Sequence, residues 1–93
     1  MPPASGLDLR AIFAMFAGSA LMALGEAADP VTGERHLDLD QAQEVIDMLM
    51  LLRDKTQGNR TPDETALLEE ILYDLQLRFV RAASPGAPGG HPR

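Results

Sequence analysis

From Ala11 to Gly25 the chain carries no charged residue, and no other feature restricts its fold as much. Leu9, Phe13, Phe16, Ala20 and Leu24 recur at spacings of three or four, and Ile12, Met15, Ser19 and Met22 form a second stripe. Both spacings fit an α-helix. A helix that is apolar on every side must be covered on every side. Ala14, Ala17, Gly18, Ser19, Ala20 and Ala23 are small enough to let a partner backbone approach. At about 1.5 Å per residue the run is roughly 22 Å long, short of a hydrocarbon core of about 30 Å. A buried core helix is therefore expected, starting near Leu7 or Asp8 with Ser5 as its cap and ending at Gly25. The alternative is a membrane-associated or exported hairpin protein, with residues 11–25 as anchor or leader. The small-residue exit at Ala23-Leu24-Gly25 favours a leader, but Asp8 cancels Arg10 and Pro2-Pro3 makes a poor basic segment.

Residues 53–64 read as the corner of a helical hairpin. Arg53 and Lys55 fall in the last turn of one helix, where cations suit the negative end of the macrodipole. Gly58 or Asn59 can take the left-handed conformation that stops it. Thr61 then caps the next helix, Pro62 takes its first position, and Glu64 completes a capping box.

The remaining elements follow from the same signals. Helix 2 starts from a cap at Asp38, with Gln41 three residues on. Its apolar stripe is Leu39, Ala42, Val45, Ile46, Leu49 and Leu52, widened by the run Met48 to Leu52. Leu51 stands among polar neighbours, where a monomer normally places a charge. Helix 3 runs from Pro62 to about Ala82, with Leu68, Leu72, Leu75 and Phe79 as a heptad seam and Leu67, Ile71 and Val80 broadening it. Glu69, Glu70, Tyr73, Asp74 and Gln76 face water, and Asp74 can pair with Arg78. Residues 26–37 connect helices 1 and 2, with turn chemistry at Asp29-Pro30-Val31-Thr32-Gly33. That length exceeds the usual helix–helix connection, so the segment is expected to cross the end of the bundle or contact something. Residues 1–6 read as a disordered lead-in, 7–82 as a single helical domain, and 83–93 as a disordered Pro/Gly-rich tail.

Composition excludes several functions. A net charge of −6 opposes non-specific nucleic-acid binding and attraction to an anionic membrane. Three Phe, one Tyr and no Trp make a poor base-stacking platform. The absence of cysteine removes disulfides and thiolate metal sites. Glu34, His36, Asp38 and Asp40 hold donors at alternate positions, but on a loop with no orienting partner for His36 they read as solvated charges. Glu69, Glu70 and Asp74 lie on an open helix face, not in a cleft that would separate their pKa values. Asp47, Lys55, Thr56 and Asn59 have sufficient work in helix termination, so a shared docking role is not needed. Asn59-Arg60-Thr61 matches a glycosylation acceptor, and the helix stop and cap explain all three residues. No catalytic, cofactor-binding or metal residue is assigned, and no enzyme is expected.

Leu24-Gly25, Asp29-Pro30, Gly33, Ala42, Ile46-Asp47, Leu49, Lys55-Thr56, Gly58-Asn59, Thr61, Glu64, Leu68, Leu72, Leu75 and Phe79 together resemble a family of short bacterial proteins. It is the domain-of-unknown-function family number eighteen forty-four, and the resemblance covers about residues 12–80. Lys-Thr-x-Gly-Asn-x-Thr is its most specific part; where the family pattern has leucine before that last Thr, this chain has Arg60. The resemblance implies a small, mostly helical bacterial protein of the cytoplasm, with no assigned activity, cofactor or catalytic residue.

The expected architecture is all-α. Helices 2 and 3 form an antiparallel hairpin, and apolar helix 1 packs across it within an oligomer. Two amphipathic helices can hardly enclose a third that is apolar all round, and small domains often gain burial by assembling. The functional expectation is a non-enzymatic self-association or protein-interaction module: a homodimer first, an unidentified protein partner otherwise, and no nucleic acid. Ile12, Ala14, Met15, Gly18, Leu21, Met22, Met48 and Leu51 are the expected interface.

Overall fold

A computed structural model describes residues 8–84 and builds them from α1 (Leu9–Ala23), α2 (Leu39–Lys55) and α3 (Pro62–Ala83). All three helices pack against one another. The fold is all-α, as the periodicity predicts; among the described residues the only extended pairing is one isolated bridge between Leu24 and Leu37. The start of α1 meets the start of α3, and Glu26, three residues past the end of α1, reaches the far end of α3 through a Glu26–Arg78 ion pair of 3.3 Å. α1 therefore runs parallel to α3 and antiparallel to α2. The expected lead-in and nearly all of the expected tail lie outside the described residues. Helix α3 continues to Ala83, one residue past the expected end.

Local chemistry sets each boundary. The cap of α1 is Asp8, not Ser5, which lies outside the described residues; the Asp8 carboxylate accepts from the Arg10 backbone N–H at 2.8 Å. At its other end, Gly25 has φ +74 and supplies the left-handed stop. The Gly25 N–H donates to Met22 O at 3.0 Å and the Glu26 N–H to Leu21 O at 2.9 Å. That crossed pair is a Schellman closure. Asp38 caps α2 by accepting from the Gln41 N–H at 3.1 Å. Thr61 and Glu64 form the expected reciprocal capping box, with Pro62 at the first helical position.

Phe13, Ala20, Leu24, Ala42, Val45, Ile46, Leu49, Leu68, Leu72 and Leu75 are buried together, so each helix contributes its expected stripe to one core. Leu39, Leu52, Ile71 and Phe79 lie half-buried at its margin. Val80 is the exception: it is exposed, because it lies about 100° round α3 from Phe79, on the side of Tyr73 and Leu77. The connector does not cross the bundle end as an open span. Its feet are tied by the Leu24–Leu37 bridge and by the Asp38 N–H donating to Ala23 O at 2.7 Å. Within it, the Asp29 side chain accepts from the Val31 N–H, and Gly33, at φ +75, returns its N–H to Asp29 O.

Candidate interaction surface

α1 has two unlike faces. Phe13 and Ala20 are fully buried against the hairpin, while Ala11, Ile12, Ala14, Met15 and Gly18 are exposed. A step of 100° per residue places Ala11, Met15, Gly18 and Met22 along the centre of the outward face. Ile12 and Ser19 flank it on one side, Ala14 and Leu21 on the other. Ser19 and Met22 share a shallow cleft of about 260 Å³ with Gln41 of α2. Gln41 and Met48 are two turns apart on one stripe of α2, so the Ile12 side of α1 adjoins the Met48 flank, while Leu51 points away from the buried stripe of α2. Exposure reaches 40% at Ile12, 65% at Met15, 38% at Met48 and 55% at Leu51. These large apolar side chains lie uncovered in a single chain.

The other expected interface positions divide. Gly18 sits in the open: a Cβ built on it would meet nothing within 4 Å. Met22 is half-covered where the connector folds back beside it. Leu21 is half-buried and packs on the edge of the core, at the border of the outward face. Ala11 belongs to the face and was not among the expected residues; continuing the Met15–Gly18–Met22 spacing one step back would have found it. A second exposed strip on α3 joins Tyr73, expected to face water, with Leu77 and Val80, near Met50 of α2. Glu69, Glu70 and Arg81 flank it, so unlike the α1 face it is interrupted by charge.

Two polar devices brace the end of the bundle where α1 and α3 begin. Glu64 is only 5% exposed. One carboxylate oxygen accepts from the Thr61 N–H at 2.8 Å and the other from the Leu9 N–H at 2.9 Å. A single side chain thus caps two helices. Those bonds, Thr61's first and Leu9's second, hold its pKa below the usual carboxylate value, against the opposing effects of burial and of Asp8. Arg60 clasps the hairpin corner. Its guanidinium donates to Arg53 O at 2.6 Å, to the Thr56 hydroxyl at 2.9 Å and to the Thr65 hydroxyl at 3.1 Å. It thereby satisfies a carbonyl that the last turn of α2 leaves open. Gly58 takes the positive φ, +83, at that corner. The Glu64–Leu9 bond, between residues 55 apart in the chain, leaves no mark in local sequence pattern.

Other constellations stay local. Thr56 donates its hydroxyl to Leu52 O, the Asn59 N–H reaches Thr56 O, and Asp47 accepts from Gln43 one turn earlier. Asp74 pairs with Arg78 at 2.7 Å. His36 and Glu34 approach to 3.3 Å on the connector. Among the described residues no group of three or more His, Cys, Asp or Glu is arranged to hold a metal ion. No described helix is long and apolar enough to cross a membrane. A family model described as Domain of unknown function (DUF1844) matches residues 7–81. No curated protein and no solved structure matches the chain.

Proposed function

The chain belongs to the family described as Domain of unknown function (DUF1844), and from that premise we propose that it works as a non-enzymatic helical module that self-associates through the outward face of α1. The supporting observation is the uncovered pair Ile12 and Met15 on α1, with Met48 and Leu51 also uncovered on α2. Scattered exposed hydrophobics are ordinary, whereas contiguous ones mark contact surfaces. The α1 face alone is about 22 Å long and roughly 10 Å across. That is small beside the ~800 Å² per partner of a standard interface, so the contact takes in the α2 flank as well. The net charge of −6 leaves nucleic acid an unsuitable partner, and the cytoplasm of a bacterium is the proposed setting.

Light scattering across a dilution series tests this reading. The wild type is expected to pass from dimer to monomer on dilution. Met15→Asp, which places a charge on the face without touching the core, is expected to stay monomeric with unchanged helix content. A wild type that is monomeric at every concentration would remove self-association and leave the face to a different protein.

A further inference from the structure

The outward face of α1 is patterned by size as well as polarity. Its central residues, Ala11, Met15, Gly18 and Met22, step by four, three and four, which is one heptad stripe. The two methionines share one heptad position, and Ala11 and Gly18 share the other. A parallel pair of such helices would set methionine on methionine and glycine on alanine or glycine, alternately crowded and empty. Reversing one helix brings the two heptad positions opposite each other, so large meets small at every level.

We propose that two chains pair by an antiparallel, two-fold α1–α1 contact in which Met15 of each copy fills the space above Gly18 of the other, and Met22 lies against Ala11. The proposal rests on the self-association reading and specifies its geometry. The occupant is a second copy because the face is complementary to itself. The same register sets Ile12 against Ser19 and Ala14 against Leu21, again large against small. Gly18 offers the room required, since nothing lies within 4 Å of its missing Cβ and it is exposed. Met15, the most exposed large side chain of α1, is the matching projection. Charge does not oppose the α1–α1 contact, because no residue from Ala11 to Gly25 is ionised. Antiparallel pairing also opposes the two helix macrodipoles.

The absence of cysteine from the chain makes disulfide trapping specific. Ala11→Cys and Met22→Cys are prepared separately, confirmed as dimers by light scattering, then mixed and mildly oxidised. In the proposed register the two positions are level. Two copies of either one alone are eleven residues apart along the helices, roughly 16 Å, beyond the ~7 Å Cα separation that a disulfide spans. The mixed disulfide is therefore expected to dominate, with little cross-linking of either variant alone. Ile12→Cys with Ser19→Cys repeats the test on the flank if a first-pair variant does not fold. Rapid cross-linking of each variant with itself would overturn the antiparallel pairing. Dimers that trap neither mixed pair would overturn the register while leaving self-association intact, and a monomeric wild type would end both.

Discussion

Replacing Gly18 with leucine separates the stability of one chain from that of the assembly. Gly18 lies in the interior of α1, is exposed, and has nothing within 4 Å of the site of an added Cβ. Within one chain Gly18→Leu therefore adds helix propensity without a clash, a gain of about 0.8 kcal/mol. For a domain of this size that corresponds to a Tm rise of about 3–6 °C. In the dimer the added side chain enters the space that Met15 of the other copy fills. Overpacking of a close contact costs about 1–3 kcal/mol per site, and the two-fold repeats the site. Dimer affinity should fall roughly 30-fold to 10⁴-fold. Thermal unfolding in dilute solution reads the first effect, and light scattering at rising concentration reads the second. A lower Tm in dilute solution would show that Gly18 is crowded within its own chain. Undiminished dimerisation would show that the contact lies elsewhere.

Three further outcomes test the fold beneath the surface. Phe13→Ala, at a fully buried site, should lose about 3–5 kcal/mol in chemical denaturation; a loss below about 1 kcal/mol would mean α1 is not docked on the hairpin. Arg60→Ala removes the clasp on Arg53 O and both threonine hydroxyls, and should lose about 1–2 kcal/mol, with faster amide exchange at the corner as the local check. Glu64 has a folded pKa below its ordinary value of 4.5. Its contribution is complete above that value and disappears as pH falls through the folded pKa. Glu64→Gln should therefore lower stability at neutral pH and flatten the acid limb of the stability profile. An unchanged profile would show that the Leu9 and Thr61 bonds do not depend on the carboxylate charge.

The parts of this molecule governed by near neighbours could be read directly from the chain. Asp38, Thr61, Pro62, Glu64, Gly25 and Gly58 each perform the terminating or capping role that their residue type suggests, because such bonds close within a few residues. The three stripes found their common core because helical spacing dictates which residues share a face. Chain ends were less legible: Ser5 was the expected cap of α1, yet Asp8, adjacent to the helix, takes that place. What could not be read depends on which helix lies beside which. Glu64 bonds the Leu9 N–H, 55 residues away in the chain, and Arg60 was unremarkable until the corner closed around it. Val80 stands next to the seam residue Phe79 in the chain but is exposed because the helix turns it to the side of Tyr73 and Leu77. The interface positions on α1 were selected for being uncharged; their division into an inner and an outer face required the packed bundle.

Sedimentation equilibrium over a wide concentration range decides whether two chains pair. Self-association predicts a reversible approach to twice the 10.0 kDa mass of one chain, abolished by Met15→Asp with no loss of helix. A single species at the mass of one chain throughout, or an assembly indifferent to that substitution, would contradict it.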